Sequence, residues 1–187
     1  LKFLAGVQPQ DSGSILIDGS EVELGTVERA LTQGIALIHQ ELNLADNLDV
    51  GSNIFLGREP LKFGLIDSRT IESESSKYLK LVGLDLSPRT LVSTLTVGLQ
   101  QMVEIAKALS VNARVLIMDE PTSSLSKHET EALFRVIDGL REKGVTVIYI
   151  SHRLGEIDQI ADRVTVLRDG ENAGNLDRSE ISHDAMV

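Results

Sequence analysis

Two adjacent carboxylates, Asp119 and Glu120, directly follow a run of four apolar residues at positions 115–118. Such a run predicts a buried parallel strand, and open α/β sheets bind their ligands at the carboxyl ends of such strands. A carboxylate there can hold Mg²⁺ through its water shell, because magnesium keeps several waters and takes few protein ligands. The next carboxylate can accept a proton from an attacking water, or orient it, during phosphoryl transfer. We therefore assign metal binding to Asp119 and catalysis to Glu120.

Polar side chains follow two further predicted strands. Gln40 comes after an apolar strand at 35–38, and His152 comes after one at 145–150. The Gln40 amide could reach the same metal or water, and the His152 imidazole could bond a γ-phosphate or the water at Glu120. A lone Gln or His at a strand end is more often a loop residue that the backbone satisfies, and an apolar run followed by Asp-Glu is about as often a strand that ends in a solvated turn. The assignment gains weight from the combination and from the sequence PTSSL that follows Glu120.

A helix start that could bind an anion is predicted within LTVGLQQ, residues 95–101. Gly98 opens a helix predicted over 98–110, whose free N–H groups and dipole favour negative charge, and Thr96 offers a hydroxyl just before them. In isolation, an ordinary N-cap followed by glycine explains this heptapeptide better. Because no anion of this chain is evident near the helix start, we expect it to serve a ligand held by a facing domain.

Alternating β and α units position these residues and predict a parallel sheet. An Asp-Gly pair predicts a first hairpin over 13–22, and Gly34 closes a short helix over 26–33. Residues 42–94 are helical and loop-rich, with Ser68 as the cap of one helix. The other elements are predicted helices at 98–110 and 129–143, strands at 114–118, 145–150 and 164–167 that continue the sheet, and a final hairpin strand after 168–170.

Composition excludes several classes of protein. A length of 187 residues with 42% hydrophobic residues suits one domain with a real core. The formal charge of −10, without a basic block, argues against a nucleic-acid partner. The absence of cysteine excludes disulfides and thiolate metal sites. No apolar run reaches membrane-spanning length, and the start lacks both an initiator Met and a signal-peptide pattern, so we expect an interior piece of a longer protein.

In this order, these motifs resemble the nucleotide-binding domain of ABC transporter ATPases. The resemblance implies an ABC-type P-loop NTPase core of class α/β, with a parallel sheet, a small antiparallel β piece and a helical subdomain at 42–94. It makes Gln40 the Q-loop residue and His152 the switch histidine. Residues 95–99 match the signature, usually Leu-Ser-Gly-Gly-Gln, although Val97 replaces a Gly and Leu99 replaces the Gln. It therefore assigns ATP contacts to the signature residues Thr96, Val97 and Gly98, and to Ser124 at the D-loop position.

The sequence contains no Gly-x-x-x-x-Gly-Lys-Ser/Thr phosphate loop. In the family that loop comes just before a segment similar to residues 1–9, so we interpret 1–187 as a single partial ATPase domain that lacks it. The sequences QQMVEIAKAL, MDEPTSSL and YISHRL resemble the first ATPase domain of ribose- and galactose-type sugar importers, which carry two such domains. A second ATPase domain is therefore expected to be missing too.

That resemblance implies ATP and Mg²⁺ as cofactors. It implies transmembrane permease subunits, a second ATPase domain arranged head to tail and, indirectly, a periplasmic or extracellular sugar-binding protein as partners. The expected location is the cytoplasmic face of the cell membrane. Three alternatives stay open at this point: the ATPase of a nucleoside importer, an ABC ATPase without a transporter, and an inert fragment that only docks against a partner.

Overall fold

The computed structural model describes residues 2–38 and 42–186. Gln40 lies outside these ranges. The helices are α1 Val27–Thr32, α2 Val50–Ile54, α3 Ser68–Leu81, α4 Val97–Leu109, α5 Lys127–Glu142 and α6 Leu154–Ile160, with a 3₁₀ turn at Val92–Thr94. The strands are β1 Ile15–Ile17, β2 Ser20–Val22, β3 Ile35–Ile38, β4 Leu61–Lys62, β5 Leu65–Ile66, β6 Val115–Asp119, β7 Thr146–Ile150, β8 Arg163–Arg168 and β9 Glu171–Asp177.

A three-stranded parallel sheet in the order β3-β6-β7 forms the centre of the fold, which confirms the α/β class. The middle strand β6 is covered on both faces, and Leu116, Ile117 and Met118 are fully buried. Burial on both faces is why β6 is a continuous apolar run rather than an alternating one. Because the three strands are parallel, their carboxyl ends meet at one edge of the sheet.

The last two strands do not join this sheet. β8 pairs with β9 in a separate antiparallel sheet, so the prediction that residues 164–167 continue the parallel sheet is wrong. A strand inside a parallel sheet is buried on both faces, whereas β8 alternates half-buried and exposed residues until Leu167, which is exposed. The predicted first hairpin is confirmed: β1 and β2 pair through Asp18 and Gly19, both with positive φ as a tight hairpin turn requires.

Residues 42–94 contain α2 and α3, which pack against each other and against α4. The cap of α3 is Asp67 rather than Ser68, because the Asp67 carboxylate accepts the Thr70 N–H while Ser68 is already the first helical residue. The short β4-β5 hairpin, which interrupts this helical stretch, was not predicted from the sequence. None of the helices in residues 2–38 and 42–186 is long and apolar enough to span a bilayer.

Candidate functional site

The ends of β6 and β7 bring the predicted catalytic residues together. Asp119 is the last residue of β6 and lies in register with Ile150, the last residue of β7. The Glu120 N–H then donates to the Ile150 carbonyl at 3.0 Å. This bond extends the pairing by one residue beyond the strand, so the two strand ends are held side by side. The segments that follow them, 119–122 and 151–153, therefore form one edge of the sheet.

Glu120 and His152 are in direct contact at this edge. His152 Nδ1 lies 3.0 Å from Glu120 Oε1, and the side chains are 71% and 31% exposed, respectively. When Nδ1 carries the ring proton, it donates to the carboxylate and leaves Nε2 free to accept another hydrogen bond. The sequence predicted both residues at strand ends, and the structure places them in one hydrogen-bonded pair. A half-buried carboxylate beside an imidazole can bind and orient a water molecule.

The backbone of Glu120 adopts a conformation that the sequence did not predict. Its φ is +46°, in the left-handed region that non-glycine residues avoid. Such backbone strain costs of order 1–3 kcal/mol and clusters at functional sites. Here it turns the chain sharply between β6 and the buried Pro121. The Asp-Glu-Pro sequence carries no signal for this conformation, because glycine, the usual residue for it, is absent.

A buried carboxylate that the sequence analysis overlooked lies beneath the site. Glu156, near the start of α6, is 8% exposed and accepts hydrogen bonds from the hydroxyls of Thr122, Tyr149 and Ser151. Arg153 Nη1 lies 3.3 Å from the same carboxylate. Thr122 and Ser151 lie in the segments that carry Glu120 and His152, and Tyr149 lies in β7. The sequence offers only one hint, the Arg153–Glu156 spacing on the first turn of a helix, and that spacing is common on exposed surfaces.

The start of α4 already has an anion beside it, contrary to the sequence-based expectation. Thr96 caps the helix by accepting the Leu99 N–H at 3.3 Å, and its hydroxyl lies 3.4 Å from Glu129 Oε1. A Cβ added at Gly98 would come within 2.0 Å of the same Glu129 oxygen. Glycine at this position thus leaves room for a carboxylate against the helix start, where the dipole favours negative charge.

Glu129 is held there by a capping box at the start of α5. Its carboxylate accepts from the Ser126 hydroxyl at 2.7 Å and the Ser126 N–H at 2.9 Å. Mainly through these Ser126 hydrogen bonds, and to a smaller degree through Thr96, the pKa of Glu129 lies below its ordinary value. Glu129 therefore stays charged near neutral pH, and it links the turn after β6 to the start of α4.

The remaining predicted nucleotide contacts lie on the surface around this link. Val97, the first residue of α4, is 45% exposed. Ser124 is exposed in the turn between β6 and α5, a turn in which the Ser123 N–H donates to the Glu120 carbonyl and the Leu125 N–H to the Thr122 carbonyl. Both side chains can be reached by a ligand held on a facing molecule.

Asp119 provides one carboxylate, a ligand that Mg²⁺ commonly uses beside phosphates. It is half-buried at the carboxyl end of β6. Within residues 2–38 and 42–186, His, Asp and Glu side chains form no group of three or more that could hold a metal ion. Magnesium at phosphate sites needs only one or two carboxylates, with substrate oxygens and waters as the other ligands. One carboxylate at this edge therefore fits magnesium shared with a phosphate ligand.

Comparison with known sequences gives one consistent family. A sequence profile described as ABC transporter matches residues 1–123. The chain is 52% identical over 188 residues to a ribose import ATP-binding protein of Rhodopirellula baltica, covering all of this chain and 37% of that protein. It is 49% identical to a putative ribose/galactose/methyl galactoside import ATP-binding protein of Burkholderia ambifaria, covering all of this chain and 36% of that protein. The chain thus spans little more than a third of the length of these relatives.

Solved structures share the fold at low sequence identity. One ATP-binding cassette of an ABC transporter superposes with a TM-score of 0.83 at 21% identity, over 96% of this chain and 76% of the other. A dimeric cassette in a post-hydrolysis state, bound to ADP and Pi, gives a TM-score of 0.76 at 22% identity, over 95% of this chain and 78% of the other. At such identities these matches establish the fold.

Proposed function

Because the chain belongs to the ABC transporter family, we propose that it is part of the ATP-hydrolysing component that powers sugar import. The observation that carries this proposal is the Glu120–His152 pair at the carboxyl edge of the parallel sheet, next to Asp119. The named sugar-import relatives, which match along the entire chain, support the class of substrate. Because the chain spans little more than a third of the length of these relatives, the activity is proposed for a protein of their full length.

In this mechanism Glu120 accepts a proton from the water that attacks the γ-phosphate. His152 holds that carboxylate through Nδ1–H, and its Nε2 can accept a hydrogen bond from a water at the site. Asp119 and Gln40 would hold Mg²⁺, which when bound neutralises negative charge on the phosphates. The backbone conformation of Glu120 sets where its side chain leaves the turn, and the contact with His152 holds its carboxylate. Positioning of this kind is the main contribution that a protein makes to phosphoryl transfer.

The other half of the nucleotide site is on a facing ATPase domain, arranged head to tail with this one. Thr96, Val97, Gly98 and Ser124 contact the γ-phosphate edge of an ATP that the facing domain binds. The exposed positions of Thr96, Val97 and Ser124 support such a contact, as does the helix dipole of α4, at whose first turn the buried Gly98 lies. Closure of two domains over ATP then joins the signature residues of one to the Glu120–His152 pair of the other.

A membrane permease is the second proposed partner, and an extracytoplasmic sugar-binding protein contacts that permease rather than this chain. The chain would then lie at the cytoplasmic face of the membrane. The helical stretch at 42–94 offers an exposed apolar patch on the β4-β5 hairpin, where Phe63 is 97% exposed. We assign this hairpin patch, formed by Leu61, Phe63, Leu65 and Ile66, to the permease.

Substrate-stimulated ATP hydrolysis tests the proposal. The longer protein is reconstituted with its permease and sugar-binding protein in lipid vesicles, and hydrolysis is measured with ribose, galactose and a panel of nucleosides. We expect a pentose or hexose to raise the rate several-fold. Stimulation by nucleosides alone would reassign the substrate, and an ATPase that responds to neither class would contradict a role in import.

A further inference from the structure

Three hydroxyl groups from two different segments converge on the single carboxylate of Glu156. The Thr122 hydroxyl lies 2.8 and 2.9 Å from the two carboxylate oxygens, the Tyr149 hydroxyl 2.9 Å from Oε2 and the Ser151 hydroxyl 3.0 Å from Oε2. Thr122 is 2% exposed and Glu156 is 8% exposed. A hydrogen-bonded carboxylate is thus buried directly under the edge that carries the proposed active site.

This arrangement suits a carboxylate better than an amide. A carboxylate only accepts hydrogen bonds, so it can satisfy several donors at once, and each such charge-assisted bond is stronger than a neutral one. Arg153, 3.3 Å away, offsets part of the cost of burying the charge. Burial raises the pKa of Tyr149 well above its ordinary value, so the phenol remains a donor at all physiological pH. A glutamine at 156 would keep only one acceptor oxygen, and its NH₂ group would replace the other acceptor that these hydroxyls now use.

The positions of the donors connect the cluster to the reaction. Thr122 comes two residues after Glu120, and Ser151 immediately precedes His152. Glu156 therefore connects the two short segments through hydrogen bonds to Thr122 and Ser151. The Glu120–His152 contact of 3.0 Å connects the same two segments a second time. Tyr149 donates to the same carboxylate from within β7, where strand pairing with Met118 already fixes the backbone.

We propose that Glu156 is a positioning residue that sets the separation between Glu120 and His152 through Thr122 and Ser151. This inference rests on the proposed function for its effect on catalysis, while its structural part concerns this chain alone. Loss of the hydrogen bond to Thr122 frees the segment that carries Glu120, and loss of the one to Ser151 frees the segment that carries His152. Loss of the tie to Tyr149 removes a hydrogen bond of the same kind but frees neither side.

The experiment compares Thr122→Val and Ser151→Ala with Tyr149→Phe as the matched control. On the chain as given, ¹⁵N spectra of the His152 ring at a pH where the imidazole is neutral show which nitrogen carries the proton. Glu120→Ala supplies the spectrum of a ring without its partner. We expect Thr122→Val and Ser151→Ala to shift the ring signals toward that reference, and Tyr149→Phe to leave them unchanged.

In the longer protein, kinetics of the same variants distinguish an effect on the position of Glu120 and His152 from an effect on the stability of the fold. Thr122→Val and Ser151→Ala should lower kcat about tenfold with KM for ATP within about twofold, because orientation of the water rather than ATP binding is lost. Tyr149→Phe should keep kcat within about twofold, even though it destabilises the fold by a comparable amount.

Three outcomes would overturn the inference: unchanged ring signals in Thr122→Val and Ser151→Ala, equal ring shifts in all three variants, or a kcat in Tyr149→Phe that falls as far as in the other two. An unmutated longer protein without ATPase activity would instead refute the proposed function, and the ring spectra would still decide whether Glu156 positions His152.

Discussion

The carboxylate of Glu129 lies against the first turn of α4, with Oε1 3.4 Å from the Thr96 hydroxyl. In the proposed head-to-tail arrangement, a γ-phosphate from the facing domain must approach this same helix start. Two anions at one site repel each other, so the Glu129 carboxylate has to turn away when the domains close over ATP. The absence of a side chain at Gly98 leaves the space that the carboxylate now occupies, and that a phosphate would have to enter.

Glu129→Gln should strengthen ATP-dependent closure. A glutamine at this position of a capping box retains the cap but loses the charge at the helix start, so unfolding free energy should fall by no more than about 1 kcal/mol. Removal of one charge at a helix start is worth about 0.3–1 kcal/mol, so we expect about two- to fivefold tighter ATP-induced association of domains in a Glu120→Gln background. Glu131→Gln, on the exposed face of α5, is the control for net charge. If ATP-induced association became equally tight in both variants, the charge of Glu129 would have no specific effect on closure.

Glu120→Gln in the longer protein should bind ATP normally and lose most of its turnover. The amide keeps the shape of the side chain but cannot take a proton from water, and general-base catalysis typically contributes about 10²–10⁴-fold. Single-turnover hydrolysis and equilibrium ATP binding measure the two effects separately. A turnover within about tenfold of the unmutated protein would make Glu120 a structural residue.

The strain at Glu120 predicts an inverted order of glycine and alanine. At an ordinary position, glycine is about 0.5–1 kcal/mol less stable than alanine. At φ +46°, an L residue pays about 1–2 kcal/mol that glycine avoids. We therefore expect Glu120→Gly to exceed Glu120→Ala in unfolding free energy by up to about 1 kcal/mol in urea denaturation of this chain. At Glu131, which lies within helix α5, Glu131→Ala should be more stable than Glu131→Gly. If Glu120→Ala were likewise more stable than Glu120→Gly, the backbone of Glu120 would not be strained.

The features predicted correctly from the sequence are those that depend on residues adjacent in the chain. Local signals located β6, the Asp18-Gly19 turn and the strand ends that carry Glu120 and His152, because hydrophobic period and turn chemistry are properties of adjacent residues. The exit of β8 from the parallel sheet, the positive φ of Glu120 and the Glu156 cluster depend on which distant residues pack together. The local sequence contains almost no signal for these three features.

Phe63 should matter only when a permease is present. It stands 97% exposed at the tip of the hairpin patch with φ +54°, which asparagine tolerates well, so Phe63→Asn should not destabilise the fold. Loss of an aromatic anchor at an interface costs about 1–2 kcal/mol or more, so association with the permease should weaken about tenfold while basal ATP hydrolysis stays the same. Leu167→Asn, at a residue 69% exposed on β8, is the control. Matching effects of the two variants on permease binding would argue against the hairpin patch.

The chain as given should bind Mg-ATP weakly, because the residues assigned to nucleotide contact only its outer end. Asp119, Glu120 and Gln40 are assigned to metal, water and the γ-phosphate, whereas the 187 residues contain no Gly-rich loop with a lysine to cradle the β- and γ-phosphates. Calorimetry should therefore detect no binding in the micromolar range. A fusion that adds the phosphate-loop segment of the longer protein ahead of residue 1 should restore micromolar affinity, and changing the loop lysine to alanine in that fusion should abolish it again. Micromolar binding by the unfused chain would show that other residues hold the nucleotide and would move the site away from the β6 edge.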